Sequence, residues 1–129
     1  MKPALPVCAL FALLAGCSTL PKDIRNDGYA HLAEATHAGP LIVRPDQVDE
    51  DSRCAEGTQC VWAGRVRIEV STWFGGKPGS AQMYLGKPVP MAGGELTLDK
   101  VLPEKSVKHR IRPEQYVFHF TWTAAPAAS

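Results

Sequence analysis

Two cysteines pose the first chemical question. Cys54 and Cys60 lie in the run Asp51-Ser-Arg-Cys-Ala-Glu-Gly-Thr-Gln-Cys-Val-Trp-Ala-Gly64, with five residues between them, Gly57 included. Such a pair can be a redox dithiol, half of a zinc site or a structural disulfide. A redox pair is usually Cys-x-x-Cys, and this spacing is longer. Zinc takes about four ligands, ordinarily with a second close pair of Cys or His, and none follows. A disulfide across a short surface loop is the remaining chemistry, and it is the default wherever the compartment is oxidising. Closing such a loop stabilises a small fold by roughly 2–3 kcal/mol.

Two charged runs come next. Asp46-Gln-Val-Asp-Glu-Asp51 places four carboxylates within six residues. Calcium takes oxygen ligands from acidic loops, but the glycine and closing glutamate of an EF-hand are absent. A solvated loop whose carboxylates cap turns is the simpler reading, and no metal site is expected. Between Pro103 and Pro113, Lys105, Lys108, His109, Arg110 and Arg112 form the one basic cluster. It could serve as an interaction surface for lipid headgroups, an envelope protein or an anionic polymer. The plain alternative is a solvated loop joining two strands.

Catalytic signals are missing. A hydrolase needs a nucleophile, a base and an oxyanion hole in one place. The chain has neither Gly-x-Ser-x-Gly nor His-Glu-x-x-His. His109, His119, Ser71, Ser80, Ser106, Glu69, Asp99 and Glu114 carry no motif around them. Gly86-Lys87 is followed by Pro88, which excludes a Walker A loop. His31 and His37 are six apart, which fits no close helical face, so both read as solvated. No catalytic residue is singled out and no cofactor is implied.

The elements that must position these residues read as strands. From Arg65 the chain alternates, with Val66, Ile68 and Val70 on one side, and Ser71 to Phe74 continue it. Gly75 to Gly79 turn the chain into a hairpin whose second arm is Ala81 to Leu85. Leu41-Ile42-Val43 reads as a short buried strand that stops at Arg44-Pro45. Val89 and Met91 flank Pro90, which restricts them to an edge strand or a connection. Gly93-Gly94 lead into Glu95 to Asp99, with Leu96 and Leu98 inward. The last strand, Gln115 to Trp122, puts Tyr116, Phe118, Phe120 and Trp122 on one face, a pattern normally core. The fold class is all-β: a small antiparallel β-sandwich or barrel of six to seven short strands.

The N-terminus has a different character. Met1-Lys2 precede an uncharged apolar run from Ala4 to Ala15, too short for the ~20 residues that span a bilayer, so residues 1–16 read as a signal peptide. It ends in Leu14-Ala15-Gly16-Cys17, which is similar to the lipobox of bacterial lipoproteins. That resemblance implies lipid attachment at Cys17 and a membrane anchor. With Ser18 next, it implies the outer membrane, facing the periplasm. Residues 17–40 read as a flexible tether of roughly 25 Å root-mean-square span. Within it Tyr29, Leu32, Ala33 and Thr36 could line a short helix. The β-domain follows over 41–123, with a disordered tail over 124–129. Losing residues 1–16 removes Lys2, which brings the 14 Lys and Arg to parity with 13 Asp and Glu. A balanced charge argues against nucleic acid as a partner.

The string Asp-Ser-Arg-Cys, a short loop, Cys-Val-Trp-Ala-Gly and an alternating strand also resembles a signature of small exported bacterial β-domain proteins, many of them lipoproteins. The resemblance extends to Leu96-Thr97-Leu98, to the Pro103–Pro113 loop and to Tyr116 onward, about residues 41 to 122. Ala55 stands where the pattern usually has proline. The likeness implies a β-domain and an envelope address, but no activity. The expectation is a cell-envelope lipoprotein acting as a non-catalytic structural or binding module. A small enzyme acting on envelope material and an inhibitor of a hydrolase are the other classes.

Overall fold

The computed structural model describes residues 3, 20–55, 57–61 and 64–126. Its strands are β1 (Ile24–Arg25), β2 (Tyr29–Ala30), β3 (Ala35–Ala38), β4 (Leu41–Asp51), β5 (Val66–Phe74), β6 (Lys77–Tyr84), β7 (Val89–Met91), β8 (Gly94–Leu102) and β9 (Val117–Ala124). They form two sheets, ordered β1-β3-β4-β5-β6 and β2-β9-β8-β7. Every pairing is antiparallel except β1 with β3. The sheets meet at one corner, where Leu85 bridges to Leu98 and the Gly86 N–H donates to the Leu98 carbonyl. The result is an open sandwich, and a closed barrel is excluded.

Alternation builds the core. Val66, Ile68 and Val70 of β5 face Leu96 and Leu98 of β8 and Phe118 and Phe120 of β9, and all are buried. Each fully buried side chain of this size contributes about 1.5–3 kcal/mol relative to exposure. The aromatic face of β9 is therefore core; Trp122, half-buried at its end, donates its indole N–H to the Met91 carbonyl at 3.1 Å. The β5–β6 hairpin turns on Gly75 and Gly76 alone, at φ 57° and 79°, the left-handed conformation a two-residue hairpin loop requires. Its second arm starts at Lys77, earlier than Ala81. Pro78 is accommodated because β6 is an edge strand.

Three expectations need correction. The described residues carry nine strands rather than six or seven. The additional ones, β1 to β3, lie in the segment read as a tether with a short helix. Ala33 takes φ 66°, which breaks a helix, and Ala30, Ala35, Thr36 and Ala38 are buried against the sheets. The ordered domain thus begins well before Leu41. Finally, β4 does not stop at Pro45. Strand β3 covers β4 only as far as Val43, so Pro45 lacks its N–H on a side where no strand needs it. Its carbonyl still accepts the Ala33 N–H at 2.8 Å, and a register shift follows immediately. The acidic run is consequently the second half of a strand, not a loop.

Candidate binding cleft

The end of β4 and the connection from β8 to β9 form two walls of a cleft of about 910 Å³. Asp46 to Asp51 line one wall and Lys105 to Ile111 the other, with Leu32 and Tyr116 also lining it. An acidic stretch and a basic stretch, far apart in sequence, are thereby brought face to face.

The acidic wall is largely neutralised from its own sheet. Arg44 lies 2.8 Å from Asp46, and Arg65 of the strand partner lies 2.9 Å from Glu50. Asp49 accepts a hydrogen bond from the Gln47 amide at 2.6 Å and has Arg67 at 3.9 Å. The sequence held the signal for this, since Arg65 and Arg67 alternate outward on the strand that pairs with the acidic run. The more exposed Arg44–Asp46 and Arg65–Glu50 pairs stabilise by at most about 1 kcal/mol each, whereas Asp49 Oδ2 and Arg67 Nε are buried without a hydrogen-bond partner. Their consequence is electrostatic: nearby positive charge offsets part of the negative charge that the carboxylates bring to the cleft. Among the described residues no three His, Cys, Asp or Glu side chains gather as a metal-ligand set.

Asp51 is held differently. Arg53 grips its carboxylate with two bonds of 2.9 Å and gives a third, also 2.9 Å, to the Val101 carbonyl on β8. The Tyr116 hydroxyl donates to Asp51 Oδ2 at 2.8 Å. The Asp51 and Arg53 side chains are only 7% and 12% exposed, so the cluster is a buried polar pin between the two sheets. Burial works to raise the Asp51 pKa, but the Arg53 and Tyr116 bonds and the Arg53 charge outweigh it, and the carboxyl lies below its usual range. Burial and the Asp51 carboxylate push the Tyr116 hydroxyl up to about 12. Sequence reading left this cluster out, although Asp51 and Arg53, two apart at a strand end, are spaced to share a face.

The five basic candidates separate into three groups. Lys105 turns inward, its ammonium donating to the Asp51 carbonyl at 2.7 Å, so it closes the cleft rather than lining an outer surface. Arg112 caps the 3-10 turn Pro113–Gln115, 3.4 Å from Glu114. Lys108, His109 and Arg110 are exposed and take part in no ion pair among the described residues. Beside them Val107 is 67% exposed. The cleft therefore presents two cations, Lys108 and Arg110, without an ion-pair partner among the described residues, opposite paired carboxylates.

Cys54 and Cys60 are joined by a disulfide, S–S 2.04 Å, with Cα atoms 5.9 Å apart. The base of this loop is zipped by the Ser52 N–H to the Arg65 carbonyl at 2.8 Å and the Arg65 N–H to the Ser52 hydroxyl at 3.1 Å. Gly64 fits because a Cβ there would collide with the Ser52 carbonyl and the Arg53 Cα. The Asp-Ser-Arg-Cys stretch thus pins, zips and staples one end of the sandwich. Trp62 and Cys17 lie outside the described residues.

One further cluster lies on the outer face of the second sheet. His119 Nδ1 is 2.6 Å from Asp99, and Thr121 donates to the other Asp99 oxygen at 2.7 Å. Burial works to raise the Asp99 pKa, but the Thr121 and His119 bonds outweigh it and hold the carboxyl below its usual value. A histidine oriented by a carboxylate is the base half of a hydrolytic triad. Here the neighbouring hydroxyl supports Asp99 and is not placed as a nucleophile for His119. No protein-family model, curated protein or solved structure matches the chain.

Proposed function

We propose that the protein is a lipid-anchored module of the bacterial cell envelope that holds an anionic partner at the cleft between β4 and the Lys105–Ile111 wall, with no chemistry performed on it. The observation that carries this reading is the charge asymmetry of the cleft. Asp46, Glu50 and Asp51 of one wall are each paired with an arginine (Arg44, Arg65 and Arg53) and Asp49 has Arg67 at 3.9 Å, whereas Lys108, His109 and Arg110 opposite are exposed and in no ion pair among the described residues. A cleft with a net positive rim attracts anions and raises their local concentration. The envelope address is supported by the signal-like N-terminus ending in Leu14-Ala15-Gly16-Cys17, and the Cys54–Cys60 disulfide is the kind of bond an oxidising compartment preserves.

The test is chemical crosslinking of the full chain in native envelopes, beside a Lys108→Ala/Arg110→Ala variant. Lys105 is left intact because it supports the cleft wall. The proposal expects one anionic envelope component captured by the wild type and lost from the variant. Capture undiminished in the variant, or a modified product accumulating with time, would overturn it.

A further inference from the structure

We infer that the anionic partner is the membrane surface to which the protein is itself anchored, and that the sandwich stands on anionic phospholipid headgroups with the Lys108–Arg110 rim facing them. The inference rests on the lipid-anchor reading above and adds an orientation to it. Strand β1 runs parallel to β3, and β3 runs antiparallel to β4. The described residues leading into Ile24, Leu20 to Asp23, therefore lie towards the end of the sandwich where β4 terminates at Asp51. That end also carries the basic wall. Leu32 confirms the neighbourhood, since it lines both the cleft and a second depression bordered by Pro21, Lys22 and Asp23.

The leash is short because Pro21 to Asp23 already border a depression of the domain ahead of β1. Only Ser18, Thr19 and Leu20 separate Cys17 from Pro21. Even fully extended, four residue steps reach about 14 Å. A lipid on Cys17 would hold this end of the sandwich close to the bilayer, within one or two Debye lengths of roughly 8 Å. The groups brought there suit an anionic interface. Lys108 and Arg110 are exposed cations, and Val107 and Leu20, 67% and 48% exposed, are apolar tips able to enter the headgroup boundary. A long tether would have left the domain free to turn any face to the membrane; this one does not.

The experiment uses the full lipidated chain reconstituted into vesicles of phosphatidylcholine alone or enriched in phosphatidylglycerol, with trypsin cleavage after Lys108 and Arg110 followed by mass spectrometry. Chymotryptic cleavage after Phe74, 48% exposed beside the hairpin turn at the opposite end, is the internal control in parallel digests. In the anionic vesicles cleavage at Lys108 and Arg110 should slow roughly tenfold or more, with chymotryptic cleavage after Phe74 unchanged, and high salt should reverse the protection. Because the obvious charge variants delete the cleavage sites, hydrogen exchange of residues 104–111 in a Lys108→Gln/Arg110→Gln chain supplies the second readout, and its protection should vanish. Equal cleavage in both vesicle types, with the protein still membrane-bound, would overturn the orientation and leave the anchor standing. Protection that appears only after an envelope polymer or protein is added would overturn it in favour of that partner. Failure of the chain to partition into vesicles at all would instead defeat the anchor reading.

Discussion

The Asp51 carboxylate shows how much a single side chain holds together here. It receives Arg53 and Tyr116 at once, and the Arg53 guanidinium reaches across to Val101, so loosening one bond affects both sheets. Tyr116→Phe should cost about 1.5–3 kcal/mol, the range for losing a hydrogen bond to a charged group, read as a lower denaturant midpoint at neutral pH. The pH dependence has two signs. Asp51 has a depressed pKa in the folded state, so its contribution is present above its ordinary value of 3.8 and fades as pH falls through the folded value. Tyr116 is raised to about 12 from 10.0, so its contribution is present below pH 10 and fades as pH climbs towards 12. In the phenylalanine variant the alkaline loss should flatten, and the acid loss, which still starts near the ordinary carboxylate value, should be smaller and finish at a higher pH; identical profiles for the two proteins would disprove the pin. Gly64→Ala forces a Cβ onto backbone and should destabilise by about 1–3 kcal/mol in the same assay. The tight spacing of Asp51, Arg53, Cys54 and Gly64 was visible in the sequence, but their partner Tyr116 was legible only as an aromatic of the core face.

At the scale of elements, what could be read was whatever carried a long enough pattern. Strands β5, β8 and β9 each span eight or nine residues, long enough to show period-two alternation, and Gly75-Gly76 names its own turn. Strands β1 to β3 span two to four residues, too few for any period, and they exist because neighbours pair with them. Pro45 misled for a related reason: proline ends a strand only where its missing N–H faces a partner. If β1 to β3 are part of the fold, replacing residues 24–38 with a Gly-Ser linker should abolish cooperative unfolding, as buried Val43 and Leu41 lose their cover; a sharp, near-native transition would show the segment to be dispensable. The disulfide loop makes a milder prediction. Converting Cys54 and Cys60 together to serine should lower stability by roughly 2–3 kcal/mol and leave the sandwich folded, checked by denaturant titration and circular dichroism.

The whole molecule pairs a near-neutral overall charge with a basic rim that has no ion-pair partner among the described residues, and that contrast is what the proposed role depends on. The rim residues were legible as a cluster in the sequence; their division into Lys105 as support and Lys108 and Arg110 as free cations was not, because it depends on where the Asp51 carbonyl stands in space. The most direct measurement is site-specific photocrosslinking in living cells, with a photoreactive amino acid at position 107 beside the rim and, separately, at position 77 on the far hairpin. The account predicts an anionic envelope adduct at 107, absent at 77 and lost when Lys108 and Arg110 become alanine. Adducts of equal yield at both positions, or none at 107, would contradict it.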